Sequence, residues 1–109
     1  VTLDKIKSNF NAMITLATEH KIKIILCSIL PVTEYYWNKK IRSFEKIKSI
    51  NDFLAEISHD KKLLYVDFYK EFSKNHLINP HYSSDGVHPN KEGYGVMSTI
   101  FISCSSEIV

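Results

Sequence analysis

The chain is an α/β protein with a parallel sheet, and three observations predict it. Residues 24–30, Ile-Ile-Leu-Cys-Ser-Ile-Leu, are rich in β-branched side chains and almost uniformly apolar. A run of that kind is a strand covered on both faces, as parallel strands are. Apolar residues at helical spacing lie on either side of it, and a second short apolar run, 63–66, follows the second helical stretch. The resulting order is helix, strand, helix, strand, helix.

Leu3, Ile6, Phe10, Met13, Ile14 and Ala17 recur at helical spacing, which predicts a helix over residues 3–20. Thr2 is placed to cap it, and Asp4 suits the positive end of its dipole. The strand at 24–30 ends at Pro31, which cannot donate to a ladder. Residues 32–39 read as a loop carrying Tyr35, Tyr36 and Trp37. Ile41, Phe44, Ile47, Ile50, Phe53, Leu54 and Ile57 form the stripe of a second long helix, and His59 to Lys62 read as a polar turn. Leu63, Leu64, Tyr65 and Val66 make the second strand, ending at Asp67, which is placed to cap the helical turn suggested by Phe68, Tyr69 and Phe72. An irregular segment then runs through Pro80. Asn90 caps a last helix whose predicted face is Tyr94, Met97, Phe101 and Cys104, with Val96 and Ile100 beside it and Glu92 in its first turn.

Two strands do not make a self-sufficient sheet. Each would be an edge with unpaired backbone groups, although the first has the composition of a central strand. Further strands are therefore expected, from a preceding N-terminal segment of the same protein or from another copy packed alongside as a homo-oligomer. The absence of an initial Met agrees with a preceding segment.

Composition excludes several classes. The 109 residues bound one small domain, 44% hydrophobic and 24% charged, an ordinary globular balance. A net charge of +2, with its lysines scattered, gives no nucleic-acid footprint. No apolar run is long enough for a membrane span, and the polar opening has no signal-peptide pattern. Cys27 and Cys104 lack metal-ligand spacing and read as free buried thiols; a disulfide between them, and with it the compartment, is left open.

The chemistry concentrates in Asp85-Gly86-Val87-His88-Pro89-Asn90. A carboxylate three residues before an imidazole supplies an orienter and a base: the Asp fixes the His tautomer, and the other ring nitrogen accepts a proton from a nucleophile. Alone, Asp-x-x-His is a common and weak pattern. Here Gly86 permits an unusual backbone angle and Pro89 stiffens the turn, so the string describes a shaped turn at the rim of a sheet. In open α/β sheets ligands bind beyond the carboxyl ends of the strands. The loop after Leu30, the residue Asp67 and the 85–88 turn all converge there.

This block, followed by Gly93-Tyr94 and Met97, resembles the last motif block of the SGNH hydrolases, also called GDSL lipases or esterases. Residues 25–32 and Tyr65-Val66-Asp67 resemble that family's late strands. The resemblance implies part of a flavodoxin-like three-layer α/β/α domain, with residues 1–109 its C-terminal portion and the N-terminal strands missing. It implies His88 as general base and Asp85 as its orienting partner, serine ester hydrolysis of a small-molecule ester or an acylated carbohydrate or lipid, and no metal or organic cofactor. The family's Gly-Asp-Ser nucleophile motif does not occur here, nor do the Gly and Asn of its oxyanion hole. Ser28, Ser83, Ser84 and Cys27 are read as structural, so the isolated chain is expected to be nearly inactive. Tyr35, Tyr36 and Trp37 lean toward substrate contact, because three large aromatics in one loop are hard to bury with their polar atoms satisfied. Two other readings are a non-catalytic glycan-binding module using that aromatic loop, and a metal site from His81, Asp85 and His88, the latter given little weight.

Overall fold

A computed structural model describes residues 2–33 and 43–105. In order, these form α1 (Leu3–Glu19), β1 (Ile25–Cys27), α2 (Ser43–Lys61), β2 (Leu64–Val66), α3 (Phe68–Phe72), β3 (Ser73–Lys74), β4 (Leu77–Ile78) and α4 (Lys91–Ser105). β1 and β2 pair in parallel, with Ile25 opposite Leu64, Leu26 opposite Tyr65 and Cys27 opposite Val66.

Strand alternation divides the core into two layers. Leu26 joins Ile14 of α1 and Ile50, Leu54 and Ile57 of α2, with Tyr65 packed against them. Ile25, Leu64 and Val66 point the other way, onto Phe68, Phe72 and Ile78 and the α4 side chains Val96, Met97, Ile100 and Cys104. Helices cover both faces of the sheet, the α/β arrangement predicted.

α1 begins as expected, the Thr2 hydroxyl accepting from the Lys5 N–H at 3.2 Å. Both long helices that precede a strand end in the same way. Lys21 and Lys62 take positive φ, 58° and 56°. Behind them the Ile22 and Leu63 amides reach back to the Ala17 and Ser58 carbonyls at 2.9 and 2.8 Å. This is the Schellman closure, with lysine where glycine is usual. It turns each chain sharply into its strand.

Several expectations need correction. β1 is shorter than the run 24–30. Ser28 still donates to the Val66 carbonyl at 3.0 Å. At Ile29, however, the Asn51 side chain replaces a strand: its Oδ1 accepts from the Ile29 N–H at 2.7 Å and its Nδ2 donates to the Ile29 carbonyl at 2.9 Å. Residues 59–61 are the last turn of α2, not a loop. The segment after α3 holds a small antiparallel hairpin, β3 with β4. It turns at Asn75 and His76, both at positive φ as a two-residue hairpin loop requires. On α4, Met97 and Cys104 pack inward with Val96 and Ile100 beside them as expected, but Tyr94 and Phe101 are exposed. On α1, Met13 is likewise exposed while Ile14 is buried.

Cys27 is exposed and Cys104 half-buried, and both thiols are free. Cys27 shares a face with Ile25, but α4 packs over β2 and leaves the end of β1 uncovered. Its remaining burial still raises the thiol pKa. Among the described residues, β1 pairs with β2 alone, so its outer edge carries no strand. No helix among them is long and apolar enough to cross a membrane.

Candidate active site

The Asp85-Gly86-Val87-His88 turn lies between β4 and α4, and three anchors hold it. The first is the segment after β1, where the Thr33 N–H donates to the Gly86 carbonyl at 2.7 Å. Gly86 sits at φ +82°, and a Cβ there would lie 2.8 Å from Thr33 Cβ. The position therefore needs glycine for both its backbone angle and the approach of its neighbour.

The second anchor is Asn90. Its Oδ1 accepts from the Gly93 N–H at 2.9 Å, capping α4 as the sequence predicts. Its Nδ2 donates to the His81 carbonyl at 3.1 Å, and its own N–H donates to the Tyr82 carbonyl at 2.8 Å. One side chain thus ties helix, turn and preceding loop together. Gly93 lies so close beneath Tyr82 that a Cβ would come within 2.6 Å of that carbonyl oxygen.

The third anchor is Ser83, buried under the turn. Its Oγ accepts from the Gly86 N–H at 3.0 Å and donates to Asp85 Oδ1 at 3.3 Å.

The two oxygens of Asp85 have separate partners. Oδ1 also accepts the backbone N–H groups of Val87 and His88, at 2.8 and 2.7 Å. Oδ2 meets Nδ1 of His88 at 2.7 Å. The His88 backbone N–H, then its side chain, then the Val87 N–H hold the Asp85 carboxyl well below the usual carboxylate range. An ionised carboxylate only accepts, so Nδ1 carries the proton and donates. Nε2 is then left as the acceptor of the neutral ring. His88 and Asp85 side chains are 76% and 53% exposed, so the ring stands at the surface with its base nitrogen accessible. The arrangement can take a proton from a hydroxyl and stabilise the imidazolium that results.

The other residues singled out in the sequence fall as follows. Asp67 caps α3, accepting from the Lys70 N–H at 3.1 Å. Ser28 is buried and accepts from the Tyr69 N–H at 2.9 Å, a structural role. His81 turns away from Asp85 and His88: its Nε2 pairs with Glu92 at 2.6 Å. Among the described residues no three His, Cys, Asp or Glu side chains gather as a metal site, which removes the geometric basis for the His81, Asp85 and His88 reading. Tyr35, Tyr36 and Trp37 lie outside the described residues. Thr33 and Ser83 were not legible as anchors, because nothing in sequence spacing marks which backbone groups they meet.

A cavity of about 270 Å³ adjoins the turn on the carboxylate side, lined by Thr33, Ile78, Pro80 and residues 83–86. A larger cleft, about 570 Å³, lies far from this chemistry, between the Schellman turns that lead into β1 and β2.

A parallel sheet covered on both faces, with an Asp/His turn beside it, makes an α/β protein that carries a base and its orienter at the rim of the sheet. The chain belongs to the GDSL-like lipase/acylhydrolase family, whose model matches residues 1–96. Among solved structures it is similar to a GDSL-like lipase from Bacteroides thetaiotaomicron, at 32% identity and a TM-score of 0.90, over 99% of this chain and 54% of that one. A Bacteroides fragilis protein assigned as an acylhydrolase is similar at 34% identity and a TM-score of 0.91, over 98% of this chain and 53% of that one. A sequence relative is an N-acylneuraminate cytidylyltransferase of Streptococcus agalactiae, 28% identical over 98 residues, or 90% of this chain and 23% of that protein. The chain thus spans about half the length of the two structures and under a quarter of the cytidylyltransferase.

Proposed function

We propose that this chain is the C-terminal portion of a single serine ester hydrolase domain and supplies its base and orienter. His88 accepts the proton of a serine hydroxyl through Nε2 as that oxygen attacks the ester carbonyl. It then returns the proton to the leaving alcohol, while Asp85 holds the ring and balances its positive charge. Water attacks the acyl-enzyme in the second half, again giving its proton to His88. The serine and the oxyanion-hole donors come from residues outside these 109.

The observation that carries this reading is the 2.7 Å contact between Asp85 Oδ2 and His88 Nδ1, with Oδ1 independently fixed by backbone N–H groups. Family membership supports ester hydrolysis as the reaction class. Among the described residues the outer edge of β1 carries no strand, which supports further strands beside it. So does exposed apolar surface on α1 and α4, where Leu16 and Ile102 are 58% and 65% exposed. The substrate proposed is a small acyl ester or acylated carbohydrate. Tyr35, Tyr36 and Trp37 are proposed as contacts because they follow closely in sequence on Thr33, whose N–H is bound to the catalytic turn. The transferase activity in the cytidylyltransferase name is not proposed for this chain, which matches less than a quarter of that protein.

The test is intact-mass spectrometry of the full gene product after treatment with a fluorophosphonate. A single adduct on a serine outside the 109 residues, abolished by His88→Ala, is the expected result. An adduct on a serine of this stretch would overturn the assignment of the nucleophile. No adduct, together with glycan affinity that survives His88→Ala, would identify a binding module instead.

A further inference from the structure

Ser83 has no part in the chemistry outlined above, yet its buried hydroxyl touches both Asp85 and Gly86 of the catalytic turn. Ser83 is 4% exposed, whereas the Asp85 side chain it meets is 53% exposed. A carboxylate can only accept and an amide N–H can only donate, so the direction of both bonds is settled. The hydroxyl proton goes to Asp85 Oδ1 at 3.3 Å, and its lone pair receives the Gly86 N–H at 3.0 Å.

The two backbone bonds from Val87 and His88 are the local Asx-type contacts that an Asp in a turn makes readily. They reach Oδ1 from the backbone of the turn itself. Ser83 approaches from the buried side, and through Gly86 it is joined to the residue whose positive φ shapes the turn. We propose that Ser83 is a positioning residue for the Asp85/His88 pair: its buried hydroxyl fixes Oδ1 so that Oδ2 faces His88 Nδ1. Through Asp85 it thereby selects the Nδ1–H tautomer of His88, the form that leaves Nε2 as base. The functional weight of this rests on the hydrolase reading, but the positioning itself does not.

The measurement is long-range 1H–15N NMR of the His88 ring in the full gene product, which reads tautomer populations without any ester. In the wild type the neutral ring is expected as Nδ1–H. Ser83→Ala is expected to raise the Nε2–H share about twofold or more, and Ser83→Thr, which keeps the hydroxyl, to restore it. Ser84→Ala, an exposed neighbour, is expected to change nothing. An unchanged tautomer in a folded Ser83→Ala protein would overturn the proposal, whatever happens to its stability. Should that variant not fold, wild-type hydrogen exchange decides. The Gly86 amide is expected to exchange about tenfold or more below the unprotected rate, since local opening sets that protection. Exchange of Gly86 at the unprotected rate would show that the Ser83 bond is not held. Hydrolase activity can fail while this result stands, and the reverse.

Discussion

Thr33 and Gly86 are locked together by both a bond and a shape. The Thr33 N–H donates to the Gly86 carbonyl at 2.7 Å, and the missing side chain of Gly86 is what lets Thr33 approach, since a Cβ would lie 2.8 Å from Thr33 Cβ. The segment leaving β1 therefore sets the height of the turn that carries Asp85 and His88.

Gly86→Ala combines a left-handed backbone angle with a steric clash against a half-buried side chain. The expected loss is about 2–4 kcal/mol in denaturant unfolding. The Asp85 to His88 contact should loosen as Thr33 is pushed away. A change within about 0.5 kcal/mol, the range of ordinary surface substitutions, would contradict this account of the turn.

The two glycines of α4 make opposite predictions from one substitution. Alanine ordinarily gains about 1 kcal/mol over glycine inside a helix. At Gly95 nothing lies within 4 Å of an added Cβ, so Gly95→Ala should raise Tm. At Gly93 the Cβ would meet the Tyr82 carbonyl oxygen at 2.6 Å and Phe72 at 3.3 Å, so Gly93→Ala should lower Tm despite the better propensity. Equal shifts in the two variants would mean that α4 does not press on the loop before the turn.

Asp85 sets the acid behaviour of the site. Its folded pKa is depressed below the ordinary 3.8, chiefly by the His88 backbone N–H and side chain. A depressed carboxyl stabilises the fold fully above its unfolded pKa, and the contribution is lost as pH falls through the folded value. At and above that ordinary value the Asp85 carboxyl carbon should keep the NMR chemical shift of a carboxylate and not that of a carboxylic acid. A carboxyl already half-protonated at 3.8 or higher would contradict the bonding described. Asp85→Asn in the full gene product should lower kcat by up to roughly 10⁴, because an amide can donate and so favours the wrong tautomer.

Much of this was legible in the sequence because it is local. Thr2, Asp67 and Asn90 cap the elements they precede, and Asp85 meets His88 across three residues. What was missed depends on distant partners. Nothing near Ile29 shows that Asn51, 22 residues on, will end β1 by taking its backbone bonds. The β3 and β4 strands have two residues each, too few for a period to show. Periodicity alone also put Tyr94 and Phe101 on the packed face of α4, where they are exposed, because it cannot show how far the covering partner extends. Cys27 looked buried because its run is apolar, but whether a face is covered is a tertiary property.

The central claim is that His88 is the base of an ester hydrolase, and steady-state hydrolysis of a small acyl ester by the full gene product, wild type against His88→Ala, tests it most directly. Loss of the triad base in a well-studied serine protease costs about 10⁶ in kcat, and a fall of several orders of magnitude at unchanged fold is the result predicted. Turnover near the wild-type level in His88→Ala would contradict the account.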